Sequence, residues 1–255
     1  MRLKLISCEV LYREMCFAIA RSPHQVDVEF LPKGLHDLGS EAMHSKLQES
    51  VDHADPGQFE AVLMGYALCG NGLAGLCART LPVVIPRAHD CIALLMGSRH
   101  KYQAYFDANP GVYFRSTGWL ERGGNLEQVF RDRAGVGHTL AELVSRYGED
   151  DGRYLYEQLT AYKRSYKKLT FIETGLEPDA TFEQRAREEA VRKGWEFEKL
   201  AGSLTLFEQL VSGNWTDENF LIVKPGWRVA PRYDESIVDA ERIADDGSGE
   251  GSGSH

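Results

Sequence analysis

No stretch of the 255-residue sequence comes close to the roughly 20 consecutive apolar residues that a membrane-spanning helix needs. The amino-terminal segment also lacks the uninterrupted apolar region of roughly 7–15 residues that marks a secretion signal. Cys8-Glu9 and Arg13-Glu14 interrupt it. We therefore expect a cytoplasmic protein that does not insert into a membrane.

The sequence is also short of basic residues. Lys and Arg together number 29 against 38 Asp and Glu, which gives a formal net charge of −9. A dedicated nucleic-acid-binding protein needs a basic face that displaces counterions, so no nucleic-acid partner is expected. Hydrophobic residues make up 43% and charged residues 26% of the chain, as in ordinary globular proteins. This composition argues against a wholly disordered, collagen-like or coiled-coil chain.

Cysteine is scarce and odd in number, with five residues in the whole sequence. An odd count without a secretion signal is not a disulfide framework. The cysteines are therefore core thiols, metal ligands or reactive groups. Cys16 and Cys77 fall within predicted helices among apolar residues and are interpreted as core thiols.

Short apolar runs alternate with amphipathic patterns along most of the chain, which predicts parallel sheets covered by helices. The predicted strands are 2–7, 26–31, 59–64, 81–85, 111–115, 169–173, 195–199 and 219–223. We expect an α/β fold with two Rossmann-like or flavodoxin-like parallel-sheet lobes and a cleft between them.

A glycine-rich, charged segment divides these strands into two sets. It predicts an amino-terminal α/β lobe over 1–121, a linker over 122–137 and a carboxyl-terminal α/β lobe over 138–243. The acidic, Gly/Ser-rich tail over 244–255 is expected to be disordered.

Three cysteines follow predicted strands of the first lobe at equivalent positions. Cys8 follows the first strand, Cys69 the third and Cys91 the fourth. Open α/β sheets bind ligands at the carboxyl ends of their strands. In the flavodoxin-like order 2-1-3-4-5 the three thiols converge, whereas in the Rossmann order 3-2-1-4-5 the third strand is remote. The convergence thus depends on the strand order.

The tripeptide His89-Asp90-Cys91 sharpens this prediction. Asp90 is suited to cap a helix that begins at Cys91, and the helix dipole would favour the Cys91 thiolate. Cys8, Cys69 and Cys91 then form a zinc ligand set, with His89 as fourth ligand or as a nearby acid or base. The same three cysteines suit a [4Fe-4S] cluster with one iron left for substrate. The remaining interpretation is that all three are buried core thiols.

Other groups near these strand ends suit an anionic substrate. Backbone amides of Gly70, Asn71 and Gly72 and the guanidinium of Arg87 are candidate anion ligands, and Glu9 is a candidate general base. Each has a structural alternative: a tight turn for Gly70–Gly72, an ion pair for Arg87, and a first-turn helix acid for Glu9.

Two residues of the second lobe end predicted strands in the same way. Glu173 and Lys224 are expected to close over the cleft and bind substrate if the lobes face each other.

These residues carry a family resemblance. The segments Gly65–Gly72, Pro86–Ile92 and Gly118–Glu121 resemble the bacterial and archaeal family "domain of unknown function 1638". The resemblance implies a role in one-carbon or methyl metabolism, because members often lie near corrinoid-dependent methylamine-type methyltransferases. The His89-x-Cys91 pair with a distant cysteine is also similar to the ligands of zinc-dependent methyltransferases that activate a thiol. The order departs here, since the extra cysteines precede the pair.

The sequence thus favours a zinc enzyme of methyl metabolism that acts on a small, anionic substrate. An iron–sulfur lyase or dehydratase that uses the same cysteines is the first alternative. The second is a non-catalytic accessory protein that binds a corrinoid protein or a methyltransferase.

Overall fold

The computed structural model describes residues 1–69, 71–122, 140–160 and 165–243, and the predicted tail and most of the predicted linker lie outside these ranges. It is an α/β protein with two sheets that contain parallel strands, which confirms the predicted fold class. No helix in the described ranges is long and apolar enough to cross a membrane.

The helices and strands alternate along most of the chain. The strands are β1 Arg2–Cys8, β2 Gln25–Leu31, β3 Ala61–Gly65, β4 Cys77–Ala78, β5 Val83–Pro86, β6 Val112–Ser116, β7 Lys168–Glu173, β8 Glu196–Ala201, β9 Phe220–Val223, β10 Trp227–Pro231 and β11 Val238–Arg242. The helices are α1 Tyr12–Arg21, α2 Ser40–Asp52, α3 Cys91–Met96, α4 Arg99–Ala108, α5 Thr117–Arg122, α6 Leu140–Tyr147, α7 Glu149–Thr160, α8 Thr181–Lys193 and α9 Thr205–Val211. Two 3-10 turns, Glu9–Leu11 and Lys33–Leu38, follow β1 and β2.

The first sheet has the order β2-β1-β3-β5-β9. Its central strands β1, β3 and β5 are parallel and adjacent, with Leu5 opposite Leu63 and Leu63 opposite Val84. All five residues of β3 are buried, as expected of a strand covered on both faces. Of the two strand orders that the sequence left open, the flavodoxin-like one is therefore observed for the first four predicted strands, and the carboxyl ends of β1, β3 and β5 share one edge.

The second half of the chain departs from the expected division into lobes. The strand expected at 111–115 in the first lobe is β6, which pairs with β7 in a separate parallel sheet of order β6-β7-β8. The strand expected at 219–223 in the second lobe is β9, which pairs antiparallel with β5 in the first sheet. Strands β11, β10 and β4 form a third, antiparallel sheet. Whether the predicted lobes fold separately stays a prediction.

The carboxyl edges of the two parallel sheets meet. Helix α5, which follows β6, packs on the 3-10 turn that follows β1. Gly118 lies so close to this turn that an added Cβ would be 1.7 Å from the Val10 carbonyl oxygen. On the same side, Thr174 after β7 donates a hydrogen bond from Oγ1 to Glu14 Oε1 at 3.1 Å. We call this contact region, formed by 8–14, 116–122 and 172–174, the sheet junction.

Candidate functional site

Of the three predicted cysteines, Cys8 belongs to the sheet junction, and Cys69 and Cys91 lie beside it at the ends of the neighbouring strands. Cys8 ends β1 and is 2% exposed, and Cys91 begins α3 and is 8% exposed. Cys69 follows β3 and packs against the same core. The segments after β3 and β5 run side by side, since the Cys69 amide donates to the His89 carbonyl oxygen at 2.9 Å. The observed strand order is thus the one for which the sequence predicts that the three thiols converge.

The backbone at Cys69 is strained. Cys69 and Asn71 have φ angles of 48° and 71°, in the left-handed region that side chains other than Asn and Gly rarely adopt. Such a conformation costs about 1–3 kcal/mol and persists only when the surrounding structure holds it. The hydrogen bond to His89 supplies part of that hold, which keeps the Cys69 thiol beside the other two.

The pKa of the Cys91 thiol is raised, whereas the sequence predicted that the helix dipole would lower it. Burial raises the pKa of Cys8 to about 11 and also raises the pKa values of Cys69 and Cys91. The pKa of Cys91 is raised further by the negative charge of Asp90 and by the other two thiols. The predicted lowering by the helix dipole is therefore wrong, because α3 has only six residues and desolvation outweighs its field. Without a ligand the thiols are protonated at neutral pH.

Three side chains that the sequence did not single out surround the thiols. The positive charge of Lys33 lowers the pKa of Cys8, and Tyr66 hydrogen-bonds the same thiol. The indole N–H of Trp119 is buried without an oxygen or nitrogen acceptor and is directed at Cys91, whose pKa it lowers. Lys33 is only 4% exposed, and its Nζ lies 5.1 Å from the centroid of the Trp119 ring.

More buried polar atoms at the sheet junction lack a hydrogen-bond partner. Native proteins rarely leave such atoms unpaired, so each one needs an explanation, such as a water, an ion or a ligand. Among the described residues of the junction, these further atoms are Glu14 Oε2, Thr117 Oγ1 and Arg122 Nε.

The donor set fits a thiophilic metal chemically, but the side chains are not arranged around one centre. In the described ranges no group of three or more His, Cys, Asp or Glu side chains is placed to hold a metal ion. The thiols would have to turn toward a common point and lose their protons. The sulfurs, the Lys33 charge and the Trp119 N–H are of the types that hold and surround a metal–thiolate centre.

His89 and Asp90 have different surroundings. The His89 side chain is exposed, unlike the buried Cys8 and Cys91 thiols, so a role as ligand or acid would require it to turn inward. The predicted cap by Asp90 is confirmed: Oδ1 accepts from the amides of Ile92 at 3.0 Å and Ala93 at 3.1 Å.

Arg87 holds the carboxyl-terminal part of the chain rather than an anion. Its guanidinium donates to the Asp217 carbonyl oxygen at 2.9 Å, to the Ser236 carbonyl oxygen at 3.1 Å and to the Val238 carbonyl oxygen. The expected anion-binding role is therefore not supported, because Nε and Nη1 of the guanidinium already donate to backbone oxygens.

Glu9 and the glycine segment have structural partners. Glu9 accepts from the Lys33 amide at 2.8 Å, so it ties the 3-10 turn after β2 to the end of β1. Gly70 lies outside the described residues. Asn71 is exposed, and the Gly72 amide donates to the Cys69 carbonyl oxygen at 3.3 Å. A Cβ at Gly72 would lie 2.5 Å from Met43 Sδ, so close packing explains this glycine.

Glu173 and Lys224 do not meet. Glu173 lies at the carboxyl edge of the second sheet, as expected, and pairs with Lys199 at 3.1 Å. Lys224 follows Val223, which pairs with Val83 at the amino end of β5. The expectation that Lys224 closes over the thiols is wrong, because β9 is antiparallel and carries it to the opposite edge of the sheet.

The signals for the missed residues were weak. Trp119 follows a predicted strand in the dipeptide Gly118-Trp119, a position that favours a site residue. Tyr66 directly follows β3 between apolar residues, and its role depends on the strand order. Lys33 lies between Pro32 and Gly34, a context that predicts an exposed turn rather than a buried amine.

Comparison with known proteins identifies one family. The family model described as "Protein of unknown function (DUF1638)" matches residues 30–211. This range contains Cys69, His89, Cys91 and Trp119, whereas Cys8 precedes it. No curated protein and no solved structure matches the chain. The match covers well over half of the sequence, and the chain therefore belongs to the DUF1638 family.

Proposed function

We propose that this protein is a metal-binding enzyme of methyl-group metabolism in which Cys8, Cys69 and Cys91 hold zinc at the sheet junction. The observation that carries the proposal is that three cysteines from the ends of three adjacent strands, two of them buried and the third partly buried, share one sheet edge. A single buried cysteine is ordinary, since cysteine is among the most buried residue types. Three at one sheet edge, one of them on strained backbone, are better explained by a shared ligand.

The charges near the thiols support this assignment. A divalent ion with three thiolates carries a net charge of −1, which is costly to bury alone. Lys33, whose charge acts on Cys8, compensates it, and the Trp119 N–H is a donor for the Cys91 sulfur. When bound, zinc would activate a thiol or water, or hold a substrate heteroatom.

The methyl-metabolism part of the proposal rests on the family resemblance. It makes methyl donors and thiols the first compounds to screen, and corrinoid proteins or methyltransferases the first protein partners. A cytoplasmic location belongs to the same proposal. All five cysteines are free, and thiols stay reduced in that compartment.

The first test is the metal and sulfide content of anaerobically purified protein, measured beside a visible spectrum. We expect about one zinc per chain and no colour. Cys91→Ala should lose the metal and keep its circular dichroism spectrum. Cys16→Ala is the matched control, because Cys16 lies in α1 and is not one of the three converging thiols.

Other results would overturn the assignment in defined ways. Iron with sulfide and absorbance near about 400 nm would favour the cluster lyase or dehydratase. Wild-type protein that contains no metal would refute the thiolate–zinc site, and so would a Cys91→Ala variant that keeps its zinc. The non-catalytic accessory protein would then be the better account, tested by complex formation with a corrinoid protein.

A further inference from the structure

An aromatic cavity lies beside the thiols. It has a volume of about 260 Å³ and is formed by the start of α3, helix α4, strand β6 and α5. The residues that line it are Asp90, Ile92, Tyr102, Phe106, Val112, Tyr113, Phe114, Arg115, Trp119 and Tyr166. Ring systems therefore supply most of its wall, and the cavity has room for a small organic molecule.

Some of the aromatic rings in this wall already contact a cationic side chain, and others do not. Arg115 lies over Tyr113 at 4.5 Å, and Lys33 lies over Trp119 at 5.1 Å. Among the described residues, no lysine or arginine lies over the rings of Tyr102, Phe106 or Phe114. The faces of aromatic rings attract cations, so these three rings remain available to a ligand cation.

The charged groups of the cavity also favour a cation. Asp90 is held in place by Tyr102, whose hydroxyl donates to Oδ2 at 2.9 Å, and it forms no ion pair with any described residue. Arg115 is the charged residue of opposite sign in the wall. Both guanidinium contacts to Glu189 are 2.9 Å long, so its charge is already paired.

The type of cation follows from the shortage of hydrogen-bond acceptors. A primary ammonium group carries three N–H donors, and each needs an acceptor when water is removed. Apart from the tyrosine hydroxyls, the acceptor in the wall is the Asp90 carboxylate, whose oxygens already accept from Ile92, Ala93 and Tyr102. The rest of the wall is made of ring faces and apolar side chains. Methyl groups on nitrogen replace those donors and spread the charge over surfaces that pack on rings.

We infer that this cavity binds a small methyl-substituted ammonium cation, held between the Asp90 carboxylate and the rings of Tyr102, Phe106 and Phe114. The ligand lies next to the thiols, because Asp90 and Ile92 flank Cys91 in the sequence. The inference extends the proposed function by naming a substrate class. It concerns binding alone, so it can be tested without a metal at the thiols.

The test compares choline with 3,3-dimethylbutan-1-ol, which has the same shape without the charge, by isothermal titration calorimetry. We expect saturable binding of choline and roughly tenfold weaker binding of the neutral alcohol, as for a cation held between a carboxylate and three rings. Asp90→Asn should weaken choline binding by a similar factor. Asparagine caps helices as well as aspartate does, so the fold should be kept.

Two further variants make the result specific. Asp107→Asn removes the same charge from an exposed residue of α4 that does not line the cavity, and should bind choline like the wild type. Phe106→Leu removes a partly exposed ring from the wall and should weaken choline more than the alcohol. Equal binding of the two probes, absence of saturable choline binding, or an Asp90→Asn variant that binds normally would each overturn the inference.

One comparison separates this inference from the zinc proposal. Choline binding should persist in Cys91→Ala, whose thiol is outside the cavity lining. Loss of zinc with retained choline binding in this variant is the result that both proposals predict, and loss of choline binding would overturn the cavity inference. A metal-free wild type that binds choline refutes the zinc site alone.

Discussion

Zinc affinity should depend very steeply on pH, because the three thiols are protonated in the absence of metal. The Cys8 pKa of about 11 means that ionising this thiol at pH 7 costs about 5 kcal/mol, at 1.36 kcal/mol per pH unit. Burial raises the pKa values of Cys69 and Cys91 as well, so all three lose a proton when they bind. Below these pKa values, each released proton adds about tenfold in affinity per pH unit, and three add about a thousandfold.

The assay is competition with a chromophoric chelator between about pH 6.5 and pH 8, corrected for the chelator's own protonation. The logarithm of the dissociation constant should fall by about three per pH unit in the wild type and in Cys16→Ala. Trp119→Phe should weaken binding at every pH, because it removes the N–H directed at the Cys91 sulfur. If the logarithm of the dissociation constant fell by only about one per pH unit, a single thiol would lose its proton on zinc binding. That result would refute a ligand set of three cysteines.

Three stability predictions test the geometry at the sheet junction and the start of α3. Gly118→Ala should lower the free energy of unfolding in urea by more than about 3 kcal/mol or prevent folding, because its Cβ would lie 1.7 Å from the Val10 carbonyl oxygen. Gly34→Ala is the control, since a Cβ at Gly34 meets open space. Equal stability of the two variants would contradict the packing. Burial raises the pKa of Glu14, so its stabilising contribution is present below the usual value of 4.5 and is lost as pH rises through the folded value. Glu14→Gln should therefore be more stable than the wild type at pH 8 but no more stable than the wild type at about pH 4. A variant that is less stable than the wild type at pH 8 would show that the charged form of Glu14 stabilises the fold. Asp90→Ala should lower the free energy of unfolding, measured by thermal denaturation, by about 1–2 kcal/mol, and Asp90→Asn should lower it much less. Equal losses in the two variants would contradict the capping role of Asp90.

The existence of the central strands was predictable because each carries a buried apolar run followed by a polar turn, but their order was not, and the sequence left two orders open. Strand β3, with all five residues buried, is typical of a strand covered on both faces. Strand β9 was placed in the wrong sheet because periodicity predicts that a strand exists and says nothing about its partner. Its four residues pair antiparallel with β5, which lies more than a hundred residues earlier in the chain.

The candidate site was predictable to the extent that its residues follow strands. Cys8, Cys69 and Cys91 were found in this way, and their meeting needed only the strand order. Arg87 could not be assigned, because the carbonyl oxygen of Val238 that it binds lies 151 residues away in sequence. Lys33 was missed for a similar reason, since its burial depends on Trp119 from a different sheet edge.

The charges at this edge now favour a cation where the sequence favoured an anion. The anionic substrate was expected from Arg87 and the glycine segment, and backbone oxygens occupy the Arg87 guanidinium. In the proposed metal-bound state the thiolate centre carries −1 and Asp90 carries another −1, against the +1 of Lys33. Glu9 and Arg122 at the same edge pair with each other at 3.8 Å and cancel. A cation in the aromatic cavity would offset the remaining negative charge, whereas an anion would add to it. The negative charge of the thiol site is thus balanced by the ligand in the cavity only if that ligand is positively charged.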